Sequence, residues 1–211
     1  MTWSIIARDE ATGRVGIVVA TKFFAVGSVV PHIKTGVGAV ASQAFVNPFY
    51  GARGLALIGA GATAEDTVRM VTAGDEGREH RQLHVMDRDG KFAAYTGAKC
   101  VDWCGHLTRS AFSVAGNMLA AEAVIQETAK MYEAKSAVPF ARRLIAAMMA
   151  GERAGGDKRG KQSAALLIHD DEDYPMLDLR VDDHSDPLAE LQRLEAVARQ
   201  RWVHFRRSMP N

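Results

Sequence analysis

The sequence predicts an α+β chain in which sheets are layered between helices. Three observations carry that prediction. The N-terminal part reads as consecutive strands with no helix between them. The later helical segments come in groups instead of alternating one for one with strands. The strongest strand candidate, residues 15–20, is almost wholly apolar, as expected of a sheet covered on both faces. A doubly wound parallel sheet needs regular strand–helix alternation, which this order lacks. The 211 residues are enough for one domain with a real core, and 1–211 is read as a single domain.

Residues 5–8 and 15–21 form two β-runs around Asp9–Glu10–Ala11–Thr12–Gly13, a hairpin signal with glycine in the loop. Residues 26–30 and 37–44 are read as further strands, punctuated by Pro31 and Gly36. Asn47–Pro48–Phe49–Tyr50–Gly51 is a turn cluster, and a helical pattern begins at residue 52. Gly59–Ala60–Gly61 interrupts it, and Thr63 to Asp66 restarts it with a capping-box-like start. Residues 80–87 and 91–96 flank Arg88–Asp89–Gly90 as a second hairpin. A short strand over 112–115 runs into Gly116–Asn117 and a helix over about 120–134. Pro139 opens the next helix, with Phe140, Leu144, Ile145, Met148 and Met149 on one stripe, and Gly155–Gly156 stop it. Strands are predicted over 163–169 and 177–182. Asp186–Pro187 starts the last helix, over about 186–207.

Hydrophobic residues make up 47% of the chain and charged residues 24%, the balance of an ordinary globular protein. A net charge of +1 gives no reason to expect nucleic acid or an anionic membrane as partner. Apolar runs are too short to span a bilayer and no secretory leader pattern opens the chain, so a cytoplasmic location is expected. Two cysteines, Cys100 and Cys104, suit a reducing compartment. The Phe49–Tyr50 cluster and the end of the last helix, with Trp202, Val203 and Phe205, offer apolar surface for a homo-oligomer, most simply a dimer.

Thr2 is the first candidate for chemistry. If Met1 is removed, Thr2 carries a free α-amine with a pKa of about 7.7–8.0, so much of it is an unprotonated base near neutral pH. One residue then holds nucleophile and base, the threonine and N-terminal-amine form of covalent catalysis. Position alone does not separate this from an ordinary threonine.

The runs Thr2–Trp3–Ser4–Ile5–Ile6–Ala7–Arg8, 24–31, 36–44, 78–83, Gly116–Asn117, 155–165 and Val181–Asp182–Asp183–His184 resemble the family called domain of unknown function 1028. The resemblance reaches from Thr2 to about Leu194. That family is similar in fold to the N-terminal-nucleophile hydrolases. The resemblance implies a four-layer αββα sandwich, two antiparallel sheets face to face with helices outside, and gives Thr2 the catalytic position. It also implies an activating lysine at Lys34, part of an oxyanion hole at Asn117, and an aspartate and serine near the nucleophile at Asp157 and Ser163. The sequence departs from the proteasome pattern after the second strand, where Ala20–Thr21–Lys22 offers no aspartate; either that support is missing or Lys22 replaces the lysine.

Other residues are weighed on their own chemistry. Gln43 is either an oxyanion donor or a hydrogen-bonded strand-end residue, with Ser42 beside it as a substrate-binding candidate. The loop 155–163 comes near a phosphate-loop pattern but has Gln162 where Ser or Thr would hold magnesium, and it leads from helix to strand, the reverse of the required order. Nucleotide hydrolysis is rejected. Arg159 remains suited to a substrate carboxylate, with Lys158 and Lys161 read as solvated charges. Gln162, His80, Arg81 and His106 complete the substrate-binding set. His80, His84, Cys100, Cys104 and His106 carry zinc-type donor atoms, but the cysteine spacing is looser than a knuckle and no metal is assigned. Asp182–Asp183–His184 is read as helix capping. The expected activity is hydrolysis of an amide or related C–N bond of a small molecule, with no cofactor. The alternative is a non-catalytic αββα binding or interaction protein.

Overall fold

A computed structural model describes residues 2–209, with the side chains at 203 and 206 outside the description. In chain order the elements are β1 (Thr2–Arg8), β2 (Val15–Thr21), β3 (Pro31–Lys34), β4 (Gly38–Ala44), α1 (Phe49–Gly59), α2 (Ala64–Ala73), β5 (Arg81–Met86), β6 (Phe92–Thr96), β7 (Gly105–Thr108), β8 (Phe112–Asn117), α3 (Ala123–Ala134), α4 (Phe140–Arg153), β9 (Ser163–His169), β10 (Leu177–Val181), α5 (Pro187–Gln200) and α6 (Trp202–Arg206). Six strands form one antiparallel sheet in the order β10-β9-β2-β1-β8-β7, and four form a second in the order β3-β4-β5-β6.

Strand alternation assigns each side chain to a layer. On β1 the odd residues Trp3, Ile5 and Ala7 join Val18 and Ala20 of β2 and Val114 of β8 in a core that continues into Leu144, Ile145 and Met148 of α4 and Leu188 and Leu191 of α5. On β4 and β5, Val40, Leu83 and Val85 pack with Tyr50 and Ile58 of α1 and with Val71 of α2. The remaining inward residues Ile6, Ile17, Val19, Ala39, Ala41 and Met86 meet between the sheets. The layers are therefore helices, sheet, sheet, helices: the αββα architecture expected. Truncating a core residue such as Leu144 to Ala costs about 2–5 kcal/mol. Among the described residues no helix is long and apolar enough to cross a membrane.

Several local readings are corrected. Residues 26–28 form a 3-10 turn instead of a strand. Ala25 is left-handed (φ 52°), and the Val26 N–H is drawn to Ser163 Oγ at 3.2 Å, so tertiary contacts override the β-preference of the valines. The cluster at 47–51 starts a helix: Asn47 Oδ1 accepts from the Phe49 N–H at 3.0 Å and satisfies a helix-start donor. Tyr50 is buried, its hydroxyl donating to Asp75 Oδ2 at 2.7 Å, so it adds nothing to apolar surface, whereas Phe49 is exposed. The last helix is broken at Arg201 into α5 and α6, and the side chain of Val203 lies outside the described residues. Strand β7 has only four residues, two of them facing solvent, and left no periodicity in the sequence. The Thr63 cap is present, Oγ1 accepting from the Asp66 N–H at 3.1 Å, as is the Asp186–Pro187 start of α5.

Candidate active site

The two sheets are not held together by apolar packing along their whole length. Toward the Thr2 end of β1, the inward positions turn polar: Thr2 and Ser4 on β1, Thr21 on β2, Gln43 on β4, Gln82 and His84 on β5, and Ser113 and Asn117 on β8, all buried. Their hydrogen bonds form one connected network. Ser4 Oγ donates to Gln43 Oε1 at 2.7 Å and lies 2.8 Å from His84 Nε2. Because the serine hydrogen is committed to Gln43, the histidine donates through Nε2 and accepts at Nδ1, where Ser113 Oγ stands at 3.1 Å. Burial pushes the His84 imidazole down to about 3, aided by His106, so it is neutral in this role.

Gln43 Nε2 donates to Gln82 Oε1 at 2.8 Å and to the Ala115 carbonyl at 3.1 Å. Gln82 Nε2 in turn serves Thr96 Oγ1 and the carbonyls of Gly105 and Gly116. Asn117 Nδ2 donates to Gln82 Oε1 at 3.0 Å and reaches the Thr2 carbonyl at 3.4 Å. A fully paired network of this kind, in the low dielectric between two sheets, fixes one arrangement of its members.

Above the network opens a cavity of about 430 Å³. Thr2 and Asn117 line it, with Arg159, His80 and Lys99 as polar wall and Phe23, Val26, Val29, Val30, Phe45, Val46, Val101 and Met118 as apolar wall. Cys100 also lines it; burial pushes its thiol up to about 11, so it is not a thiolate nucleophile. Thr2 Oγ1 donates to Thr21 Oγ1 at 3.2 Å. Met1, whose removal the nucleophile reading requires, lies outside the described residues. Among those residues three non-glycines have positive φ: Ala25 (52°), Ala44 (70°) and Met118 (57°). Ala44 and Met118 line the cavity, and Ala25 precedes Val26, which does. Each costs about 1–2 kcal/mol, and strain of this kind gathers at functional sites.

Of the residues singled out in the sequence, Thr2, Asn117, His80 and Arg159 are brought together on this cavity. Asp157 stands just behind the wall. Its carboxylate accepts from the Lys22 N–H at 2.8 Å, the Arg159 N–H at 2.8 Å and Arg159 Nη2 at 3.2 Å, so it shapes the loop that presents Arg159. Ser163 is likewise a loop staple, its Oγ donating to the Phe23 carbonyl at 2.5 Å and accepting from Val26 N–H.

The rest are placed elsewhere. Lys34 pairs with Gly38, at the far end of β4 from Gln43; at about 3.3 Å per residue that is roughly 16 Å away. Lys22 does not replace it, since its Nζ points to the Lys161 carbonyl outside the cavity. Gln43 has both amide hydrogens engaged and is fully buried, so it supports the site and is not an oxyanion donor. Ser42, one residue earlier on β4, faces the opposite way, into the layer of α1 and α2, and its hydroxyl has no partner among the described residues. Arg81 is committed to Asp75 (3.0 Å) and the Phe45 carbonyl (2.7 Å), which ties the loop before α1 to β5. His106 bonds Thr96 on the outer side of the network, and Gln162 bonds Asp183. The zinc-type donors are dispersed: His84 is in the network, His80 on the rim and His106 on β7. Among the described residues no group of three His, Cys, Asp or Glu could hold a metal ion.

The sequence reading missed Thr21, Ser4, Gln82 and Ser113. They are polar residues at inward positions, on the adjacent strands β2, β1 and β8 of one sheet and on β5 of the facing sheet, and their recurrence there was the available signal.

Residues 2–191 match DUF1028, described as a family of unknown function. Protein SPO2555 from Silicibacter pomeroyi, a DUF1028 protein of known crystal structure, is 37% identical over 93% of this chain and 85% of that one, with a TM-score of 0.88. Anbu, an ancestral β-subunit, from Yersinia bercovieri is 11% identical over 99% and 98% of the two chains, with a TM-score of 0.47. Anbu from Hyphomicrobium sp. strain MC1 is 12% identical over 99% and 98%, with a TM-score of 0.42. No curated protein matches the chain.

Proposed function

We propose that this chain, which belongs to the DUF1028 family of unknown function, is a cytoplasmic hydrolase of a small-molecule amide or related C–N bond, with Thr2 as nucleophile once Met1 has been removed. The observation that carries this reading is the placement of Thr2: its hydroxyl is oriented by Thr21, its carbonyl is met by Asn117, and it lines a cavity of small-molecule size. The three left-handed residues around that cavity support the same reading.

On this reading Thr2 Oγ1 attacks the carbonyl carbon and its proton passes to the α-amine of the same residue. The developing oxyanion is met by Asn117 Nδ2, whose 3.4 Å bond to the Thr2 carbonyl is weak enough to exchange. The C–N bond breaks, the leaving amine takes the proton, and an ester remains on Thr2. Water, deprotonated by the freed α-amine, then releases the acid and restores the hydroxyl. Lys34 and Lys22 take no part.

A second reading, a non-catalytic binding protein, is favoured by the lack of an aspartate in Ala20–Thr21–Lys22 and the distance of Lys34. An amide and ureide library with mass-spectrometric readout separates the two. Turnover by processed protein that disappears in Thr2→Ala supports the hydrolase; binding by both proteins with turnover by neither supports the second reading.

A further inference from the structure

We infer that the substrate of this site is a small amide carrying a carboxylate next to the reacting bond and an apolar acyl chain, the class of N-acylated amino acids. The inference rests on the amidohydrolase reading above.

The wall of the cavity carries Arg159 and Lys99, two fixed positive charges, together with His80, and no carboxylate among the described residues that line it. Two acids contact residues of this lining, Asp157 at Arg159 and Glu79, by its backbone carbonyl, at the Lys99 N–H. Asp157 balances part of the Arg159 charge from behind; its own side chain is 1% exposed, whereas that of Arg159 is 40% exposed. Glu79 is held by the Ala98 N–H at 3.0 Å, Tyr95 Oη at 3.2 Å and Arg78 Nε at 3.5 Å. In formal charge these two acids offset Arg159 and Lys99, but neither carboxylate lines the cavity, so the surface a ligand meets carries the cations alone, between apolar walls that strengthen their pull on an anion.

Position then fixes where the anion belongs. Asp157 joins the Arg159 loop to the Lys22 N–H, and Lys22 follows Thr21, the hydroxyl partner of Thr2. Arg159 therefore stands on the nucleophile's side of the cavity. On this inference an amide nitrogen and an α-carbon separate the carbonyl that Thr2 attacks from a substrate carboxylate seated there. A guanidinium fork matches that group in geometry as well as charge. The apolar part of the lining, with Val29, Val30, Phe45 and Val46, leaves space for the acyl chain. Hydrolysis consumes one water, breaks the C–N bond, and yields the amino acid and the free acyl acid.

The test uses N-hexanoylglycine and its neutral counterpart N-hexanoylglycinamide as probes. Binding is measured by calorimetry on full-length Thr2→Ala protein, which cannot turn them over. The carboxylate should bind at least about tenfold more tightly than the amide. Adding Arg159→Gln, which leaves Asp157 on the Lys22 N–H, should abolish the difference, and Arg159→Lys should restore part of it. A thermal melt matching that of Thr2→Ala shows that each double variant is folded. Equal binding of the two probes, no binding of the carboxylate, or a preference that survives Arg159→Gln overturns the inference. Its failure is separable from that of the amidohydrolase reading. Parent protein that hydrolyses N-hexanoylglycinamide as fast as the acid keeps the hydrolase and overturns this substrate class. An Arg159-dependent carboxylate preference with no turnover of any amide keeps the ligand class and sinks the hydrolase.

Discussion

Thr2 and Thr21 face each other across neighbouring strands, hydroxyl to hydroxyl at 3.2 Å. The sequence around Thr21 shows only the lack of an aspartate, but the register Trp3↔Ala20 puts Thr21 next to Thr2, the proposed nucleophile. Thr21→Val, which keeps the shape and removes the hydroxyl, should lower turnover about tenfold or more by freeing the Thr2 rotamer while the melting temperature changes little. Thr2→Ala should abolish turnover and Thr2→Ser should retain part of it. Steady-state kinetics on the first amide found to be hydrolysed tests all three.

With Lys34 roughly 16 Å along the sheet and Lys22 turned outward, the proposed mechanism assigns the proton to the α-amine. Lys34→Ala and Lys22→Ala should therefore leave kcat within about twofold. The rate should fall as pH drops below the amine's ordinary range of about 7.7–8.0. Intact mass should show Met1 absent from active protein, and full retention of Met1 in protein that turns over substrate would remove the amine from the mechanism.

The legible part of the molecule was the part that repeats. Apolar strands, capped helices such as the one at Thr63, and the proline start at Asp186–Pro187 are written in local pattern, and those elements stand where the sequence put them. The site is assembled by register between strands distant in sequence, which no local window contains. Ser42 and Gln43 illustrate this: adjacent in the chain, they point into different layers, and only the strand's phase says which is which. Lys34 was placed by analogy along the chain, whereas the short β3 leads it away from Thr2.

The same phase yields a stability contrast. Gln43 links Ser4, Gln82 and the Ala115 carbonyl with no exposed surface, so Gln43→Leu leaves buried groups unpaired. Its cost should be about 2–4 kcal/mol in urea unfolding. Ser42→Ala removes a hydroxyl with no partner among the described residues and should stay within about 0.5 kcal/mol with activity unchanged.

Phe23, Phe24, Phe45 and Phe49 are exposed, and the first and third of them also line the cavity. A second copy of the chain covering this apolar surface is the expected arrangement. Sedimentation equilibrium should give twice the 22.9 kDa chain mass at micromolar concentration, and a monomer there would count against it.

His84 makes the stability of the fold depend on pH in a defined direction. It is fully buried and neutral between Ser4 and Ser113, and burial lowers it from 6.5 to about 3. A group that is harder to protonate folded than unfolded stabilises the native state above its unfolded pKa, and that contribution is lost as pH falls through the gap. The window therefore runs from about pH 6.5 down to about pH 3, and the loss at its lower end is at most on the order of 4 kcal/mol. His32, His106 and His169 are also lowered, mainly by burial, and contribute with the same sign. Asp75 is lowered by Arg81, Asn47 and Tyr50 against the opposing effect of burial, and its contribution is lost only at the bottom of the window, below 3.8. His84→Gln keeps a donor and an acceptor of similar reach but has no proton to gain. Urea unfolding at pH 7.5, 6, 5 and 4.5 should show the parent losing stability relative to His84→Gln at each step down. Parallel curves for the two proteins over that range would show that His84 carries no pH-dependent share of the fold.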